Sequence, residues 1–109
     1  MYMINLLGLA QRELFKLPPG IQAALIKALD ELEAYGHELR EPVVRDLGKG
    51  LKELRVSAKE GAGRSFFFYQ AGRQVYIIHI LQKKTPKTPR RTLMLAYQRM
   101  KELKRRLQP

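Results

Sequence analysis

Residues 51–84, LKELRVSAKEGAGRSFFFYQAGRQVYIIHILQKK, contain three runs rich in Phe, Tyr, Val and Ile. The runs Leu51–Ser57, Arg64–Gln70 and Gln74–Gln82 are separated by Gly61-Ala62-Gly63 and Ala71-Gly72-Arg73. β-Branched and aromatic runs between short glycine-containing segments are typical of strands joined by tight hairpins. This stretch therefore predicts an antiparallel meander. Its third strand is apolar on both faces, so it should lie in the interior of the sheet.

The segments before the meander predict one strand and two helices. Tyr2–Leu6 is a short apolar run, and apolar residues recur at helical spacing from Gly8 to Leu17. Pro18-Pro19-Gly20 then breaks the chain. The next helix, from Ile21 to Tyr35, should end at Gly36, and its apolar face is Ile21, Ala24, Leu25, Ala28, Leu29, Leu32 and Tyr35.

After the meander, Thr88-Pro89 predicts a helix start, with Thr88 as the N-cap and Pro89 at the first helical position. The inner face of this closing helix would be Leu93, Ala96, Tyr97, Met100, Leu103 and Leu107. The order β-α-α-β-β-β-α indicates an α+β fold, with a small antiparallel sheet packed against two N-terminal helices and a C-terminal helix. We expect residues 1–109 to form a single domain, because they contain no repeat or linker.

The net charge of +11 is concentrated near the C-terminus. From Lys83 onward there are ten basic residues and one acidic residue, which is nine of the eleven net positive charges. Such a field attracts polyanions, above all nucleic acid. The chain has no cysteine and no apolar run of the roughly 20 residues needed to cross a bilayer, so we expect a cytoplasmic protein without disulfides or a membrane anchor.

Three basic groups should converge if the meander forms. They are Lys49, Lys52 and Arg55 at the first strand, Arg64 at the second, and Lys83, Lys84, Lys87, Arg90 and Arg91 between the third strand and the last helix. Bases at a helix N-terminus oppose its dipole unless an anion binds there, which favours a phosphate site. The alternative is a set of solvated charges that protect the sheet edge.

The alternation in LKELRV places Leu54 and Val56 on the core face and Glu53 and Arg55 on the other, although a register slip of one residue would reverse this. His79 lies among apolar residues, so a packed, hydrogen-bonded histidine is favoured over an acid or base. Half of the aromatic group 66–69 should enter the core. The other half could stack an unpaired base. No residue spacing indicates a metal site.

Three motifs resemble a known family. They are Asp46-Leu47-Gly48-Lys49-Gly50-Leu51-Lys52-Glu53-Leu54-Arg55, then Arg64 before an aromatic strand, then residues 78–89, IHILQKKTPKTP. Together they resemble the phage-derived Gp49-like branch of the RelE/ParE toxins, which includes HigB-type toxins of type II toxin–antitoxin systems. The opening of the chain, with Ala10-Gln11-Arg12-Glu13-Leu14 and Leu17-Pro18, is similar as well.

The resemblance implies a toxin that cleaves messenger RNA, often on the ribosome, by attack of the 2′-hydroxyl on the adjacent phosphate without metal or cofactor. It implies a cognate antitoxin, a helix-turn-helix protein of the HigA type. The catalytic residues carried over are Glu53 as the base and Arg55, Arg64 and Lys84 (or Lys83) as phosphate contacts; Lys49, Lys52, Lys83, Lys87, Arg90 and Arg91 would bind RNA. The general acid stays open between His79 and Lys84. Lys52 competes with Glu53 for the role of base, and Tyr97 is a poor match to the tyrosine of some relatives.

Two other functions remain open. ParE-type members of the same superfamily inhibit DNA gyrase and do no RNA chemistry. A non-catalytic module could instead bind RNA through the basic C-terminal helix, with Lys104, Arg105 and Arg106 as its main contacts. The basic strand face favours the nuclease over the gyrase inhibitor.

Overall fold

The computed structural model describes residues 1–108. Five strands form one sheet with the order β1-β5-β4-β3-β2. β1 runs parallel to β5, and the other neighbouring strands are antiparallel. The strands are β1 (Met3–Leu6), β2 (Val44–Gly48), β3 (Leu51–Ala58), β4 (Gly61–Gln70) and β5 (Gln74–Lys83), and the helices are α1 (Gly8–Phe15), α2 (Pro19–Tyr35) and α3 (Arg90–Leu107). The α+β fold and the meander agree with the prediction, and β5 is an interior strand.

The strand β2 was not predicted. Only Val44 in this edge strand is buried, so residues 44–48 lack the apolar alternation that marks a strand in the sequence. Pairing with β3 forms the strand, with Val44 opposite Leu54 and Arg45 opposite Glu53. The sheet therefore has one more strand than expected, and that strand lies beside the residues that the sequence singled out.

Helices cover both faces of the sheet and create two hydrophobic clusters. α1 and α2 pack on one face, against residues such as Leu54, Phe67 and Ile77. α3 packs on the other face, against Leu51, Phe66, Phe68 and Ile78. Phe66, Phe67 and Phe68 are all fully buried, and burial of each ring contributes about 1.5–3 kcal/mol. The expectation that half of this aromatic group faces outward was wrong, because α3 covers the second face of the sheet and buries Phe66 and Phe68 there.

The hairpin between β3 and β4 turns at Lys59 and Glu60, and β4 already begins at Gly61. The segment 61–63 therefore belongs to the strand and does not form the turn that was predicted. Gly63 allows α2 to approach, since a Cβ atom at this position would lie 2.7 Å from Ile21 Cγ2 and 3.0 Å from Val56 Cγ2. A close approach of a helix to a strand is a common reason for glycine inside a strand.

The start of α3 differs from the prediction by one residue. The helix begins at Arg90, and Pro89 occupies the cap position without a side-chain cap hydrogen bond. Thr88 was predicted as the N-cap, but its hydroxyl group points instead to Glu53. The first turn of α3 thus leaves its backbone N–H groups without a capping side chain, next to the basic residues Lys87, Arg90 and Arg91.

Candidate functional site

The sheet register brings three ionic side chains together under the start of α3. Glu53 and Arg55 are two residues apart on β3 and therefore share a face, and Arg64 on β4 lies directly opposite Arg55. The predicted alternation is confirmed, since Leu54 and Val56 pack in the cluster under α1 and α2. Glu53 is only 3% exposed and Arg64 only 6% exposed. Buried charges of this kind need a partner or a function.

The ion pairs of Glu53 are longer than hydrogen bonds. Arg55 Nε lies 3.7 Å from Glu53 Oε1, and Arg64 Nε lies 3.8 Å from Glu53 Oε2. The other end of the Arg64 guanidinium group is held by the backbone, because one terminal nitrogen donates to the carbonyl oxygen of Gly63 at 2.8 Å. Arg64 Nε itself is buried and has no hydrogen-bond partner. An unsatisfied buried donor costs about 1–3 kcal/mol, so this atom is suited to receive an anionic oxygen.

Two further cations face the same carboxylate. Arg45 on β2 is the cross-strand neighbour of Glu53, and Lys83 is the last residue of β5. Burial lowers the pKa of Lys83 below its ordinary value, the positive charge of Arg64 lowers this pKa further, and Glu53 opposes the effect. Arg55 and Arg45 also lower it. We name Arg45, Arg55, Arg64 and Lys83 around Glu53 the cation cluster.

The sequence analysis missed Arg45. Arg45 reaches Glu53 only because β2 pairs with β3. Residues 44–48 do not alternate clearly enough for the sequence to predict that strand. Of the two adjacent lysines, Lys83 belongs to the cation cluster, whereas Lys84 is exposed and follows the end of β5.

Two hollows meet at the cation cluster. The first hollow has a volume of about 260 Å³ and is lined by Pro42, Val43, Arg55, Val56, Ser57 and Arg64. The second hollow, of about 310 Å³, lies between the sheet and the start of α3 and is lined by Arg45, Leu47, Glu53, Lys83, Pro86, Lys87, Thr88 and Leu93. Glu53 lines the second hollow, and both of its arginine partners line the first, so their ion pairs form the border between the hollows.

The remaining predicted RNA-binding residues differ in their distance from this centre. Lys87 lines the second hollow. Arg90 and Arg91 are exposed at the start of α3, and Lys49 is exposed in the turn between β2 and β3. Lys52 is directed to the opposite side of β3, where its Nζ atom lies 3.7 Å from Asp46 Oδ1. Lys52 therefore lies apart from the cation cluster.

His79 belongs to a separate polar group at the edge of β5. Its Nδ1 atom lies 2.9 Å from Glu13 Oε2, and Arg99 donates to the same carboxylate at 3.0 Å and to the carbonyl oxygen of Ile78 at 3.0 Å. The backbone N–H of Ile80 donates to Glu13 Oε1 at 3.0 Å. Burial alone would raise the pKa of Glu13, but the hydrogen bonds from His79 and Ile80 outweigh it and lower this pKa. The group joins α1, β5 and α3, and the packed histidine agrees with the favoured interpretation.

Tyr97 has a structural role. Its hydroxyl group donates to the carbonyl oxygen of Leu47 at 2.7 Å and lies 3.0 Å from that of Gly48. These contacts attach α3 to the end of β2. Through them, Tyr97 supports one wall of the second hollow without lining it.

Among residues 1–108, no group of three or more histidine, aspartate or glutamate side chains is placed to hold a metal ion. Over the same range, no helix has the length and apolar character needed to cross a membrane.

Comparison with solved structures shows the fold. The chain is similar to one in the crystal structure of the toxin–antitoxin complex RelBE2 from Mycobacterium tuberculosis, with a TM-score of 0.59 and 24% sequence identity. The match covers 75% of this chain and 98% of that one. The fold is therefore RelE-like. No curated protein sequence matches the chain. The family described as phage-derived protein Gp49-like matches residues 12–101, most of the chain, and the protein therefore belongs to that family.

Proposed function

We propose that this protein is the toxin of a toxin–antitoxin module and acts as an endoribonuclease on messenger RNA. The substrate would be single-stranded RNA in the cytoplasm, presented by the ribosome. The cation cluster would bind one phosphate group. A cognate antitoxin, a helix-turn-helix protein of the HigA type, would neutralise the toxin.

One observation carries the proposal: Arg64 Nε is buried and has no hydrogen-bond partner, and Arg64 is one of four cations around the single carboxylate of Glu53. The charges of Arg45, Arg55, Arg64 and Lys83 exceed that of the single carboxylate of Glu53. A phosphate group supplies both the missing acceptor and the missing negative charge. The concentration of nine net positive charges after residue 82 would bring a polyanion to this face of the molecule.

The proposed reaction uses the groups of the cluster in distinct roles. Glu53 removes the proton of the 2′-hydroxyl group while the 2′-oxygen bonds to phosphorus. The bond between phosphorus and the 5′-oxygen then breaks, and the leaving oxygen takes a proton from Lys83, whose lowered pKa suits a general acid. Arg55, Arg64 and Arg45 stabilise the negative charge that develops on the phosphate. The products are a 2′,3′-cyclic phosphate and a free 5′-hydroxyl group.

This assignment prefers Lys83 to Lys84 and leaves His79 out of the chemistry. Lys83 lines the second hollow, as does Glu53, whereas His79 is bound to Glu13 and packs against Phe66 with the two ring centres 5.8 Å apart. Lys84, Lys87, Arg90 and Arg91 would contact the neighbouring phosphates of the RNA. Loss of such outer contacts should weaken binding more than it slows cleavage.

The direct test is induced expression followed by mapping of messenger RNA ends. A toxin of this kind halts translation and leaves fragments with 5′-hydroxyl ends, whereas Arg64→Met should do neither. The matched control is Lys101→Met, which removes an exposed charge from α3, away from the cation cluster. Normal growth and intact messenger RNA on expression of the folded wild-type protein would refute the ribonuclease.

The same experiment separates the alternatives. A gyrase inhibitor would cause DNA damage without RNA fragments. A non-catalytic RNA-binding module would leave RNA intact and would depend on Lys104, Arg105 and Arg106 at the end of α3 more than on Arg64. If truncation at Leu103 abolishes RNA binding and Arg64→Met does not change it, the non-catalytic module is favoured.

The antitoxin can be tested through the charge of the site. We expect an acidic segment of the partner to lie over Arg64 and Lys83, because opposite charges steer association and orient the complex. Co-expression of a helix-turn-helix protein encoded next to the toxin gene should restore growth. If Lys83 in that complex reacts with an amine reagent as fast as it does in the free toxin, the antitoxin does not mask the site directly.

A further inference from the structure

We infer that the second hollow is a nucleobase subsite, in which the base next to the cleaved phosphate sits between Leu47 and Leu93. The inference rests on the proposed function, since it takes the cation cluster as the binding site of an RNA phosphate. It adds the part of the substrate that the hollow recognises and the residues that recognise it.

Three of the residues that line the hollow are apolar and suit one face of a flat ring. Leu47 comes from β2 and Leu93 from the first turns of α3, and both are half-buried at the margin of the hydrophobic cluster under that helix. Pro86 adds a third apolar surface from the loop after β5. The volume of about 310 Å³ exceeds what one phosphate group needs. The faces of a base can pack against apolar side chains such as these.

Polar and charged groups form the rest of the lining of the hollow. Thr88 Oγ1 lies 3.4 Å from Glu53 Oε2, beyond the usual length of a hydrogen bond between oxygens, so the hydroxyl group is available to a ligand. Arg45, Lys83 and Lys87 supply positive charge on the same hollow. A ligand with an apolar face, a polar edge and an attached anion fits this division. A nucleotide has these three parts.

The position of the hollow connects the base to the phosphate. Glu53 lines the second hollow, and the guanidinium groups of Arg55 and Arg64 lie 3.7 and 3.8 Å from its carboxylate. A phosphate group at Arg64 therefore carries its adjoining nucleoside past Glu53 and into the hollow. The base would thus be held by Leu47 and Leu93, and the phosphate mainly by Arg55 and Arg64 on β3 and β4.

The test is binding of small probes to the free full-length protein, which does not depend on cleavage. Inorganic phosphate and the four nucleoside 3′-monophosphates are titrated while the methyl signals of the protein are followed by NMR. At least one nucleotide should bind about ten times more tightly than phosphate, because burial of a base face against apolar side chains is favourable and about 1.4 kcal/mol corresponds to tenfold in affinity. The nucleotide should shift the methyl signals of Leu93, and phosphate should not.

Variants identify the subsite. Leu93→Ala should remove most of the preference for a nucleotide over phosphate and leave the affinity for phosphate unchanged. The control is Leu95→Ala, also in α3, whose side chain lines a separate groove beside Leu7 and Leu9. Should Leu93→Ala fail to fold, Thr88→Val is used in its place, with the expectation that the rank order of the four nucleotides changes.

The inference is overturned if all four nucleotides bind no more tightly than phosphate, or if they leave the Leu93 signals of the wild-type protein unmoved. A different set of results would refute the proposed ribonuclease activity and leave the nucleobase subsite intact. In that case nucleotides bind in the hollow as described, and the wild-type protein cuts no RNA, with or without ribosomes.

Discussion

Arg64 and Glu53 lie on adjacent strands with Arg64 Nε 3.8 Å from Glu53 Oε2, close enough for ionic attraction and too far for a hydrogen bond. Both side chains are more than nine-tenths buried. Removing two charges from water costs several kcal/mol each, and only good geometry offsets that cost. The separation of this pair is poor for stability and leaves a donor free, as expected if the proposed phosphate group binds there.

Replacement of Arg64 should slow RNA cleavage and leave the contacts with the outer phosphates in place. Arg64→Met should lower the rate of RNA cleavage about a hundredfold, because loss of one charge-stabilising donor costs about 3 kcal/mol in the transition state. Cleavage of a defined RNA by purified protein with ribosomes measures the rate, and urea unfolding measures the stability of the variant. Arg55→Met, at a side chain that is 30% exposed, serves as the comparison and should reduce the rate less. A folded Arg64→Met variant with the wild-type rate would contradict the role of Arg64.

Two substitutions near Lys83 should shift its pKa in opposite directions. Arg45→Gln removes a positive charge that lowers the pKa of Lys83, so this pKa should rise. Glu53→Gln removes a negative charge that raises the pKa of Lys83, so this pKa should fall. The Cε chemical shift of Lys83 as a function of pH measures both effects. Arg73→Gln, in the hairpin between β4 and β5, is the control and should leave the pKa unchanged. Shifts in one common direction would show that Lys83 does not face these two groups.

Binding of RNA should depend on salt in proportion to the number of phosphate contacts. Three to five contacts on a single strand give a slope of roughly −2 to −3.5 in a plot of log affinity against log salt concentration. Arg64→Met should make the slope less negative by about 0.7, the value of one contact. Fluorescence anisotropy of a labelled, non-cleavable RNA measures the slope. The same slope in wild type and variant would place Arg64 outside the RNA contact.

The fold could be predicted because strong local patterns coincide with its main elements. Apolar residues recur at helical spacing in 21–35, and the β-branched and aromatic runs in 51–82 are separated by short glycine-containing segments. These two patterns predicted α2 and the meander. β2 was not, because an edge strand with a single buried residue is formed by its pairing with β3 and not by its own composition. The missing strand carries Arg45. The incomplete site therefore follows directly from the missed strand.

The rest of the site required the three-dimensional register. The alternation in β3 placed Glu53 and Arg55 on one face, and the position of Arg64 opposite Arg55 could be anticipated only in general terms. The choice between Lys83 and Lys84 depends on where β5 ends, and helix and strand ends are poorly marked in a sequence. Arg64 Nε lacks a hydrogen-bond partner, a feature that depends on the packing around it and leaves no mark in the sequence.

The polar group at the edge of β5 should make stability depend on pH. The pKa of Glu13 is lowered in the folded protein, so its carboxylate contributes stability above the ordinary value of 4.5, and this contribution is lost as the pH falls through the lowered pKa. Glu13→Gln should cost about 1–3 kcal/mol at pH 7, since the bonds to His79 and Arg99 lose their charge. The difference from wild type should shrink below pH 4.5. Urea unfolding at several pH values measures this, with exposed Glu33→Gln as the control. A difference that stays constant down to pH 3 would contradict the assignment.

Substitution of Gly63 tests how tightly α2 packs on the sheet beside Arg64, and Gly8 in α1 provides the control. A Cβ atom at Gly63 would lie 2.7 Å from Ile21 Cγ2 and 3.2 Å from Leu25 Cδ1, so Gly63→Ala should push α2 away from β4 and cost about 1–3 kcal/mol of unfolding free energy. At Gly8 a Cβ atom would meet nothing within 4 Å, so Gly8→Ala should be neutral or slightly stabilising. Urea unfolding of both variants gives the comparison.

Because the carbonyl oxygen of Gly63 accepts the 2.8 Å hydrogen bond from Arg64, a shifted strand should also lower RNA cleavage, even where the variant is fully folded. A Gly63→Ala variant as stable as Gly8→Ala would show that α2 and β4 are less closely packed than these distances require.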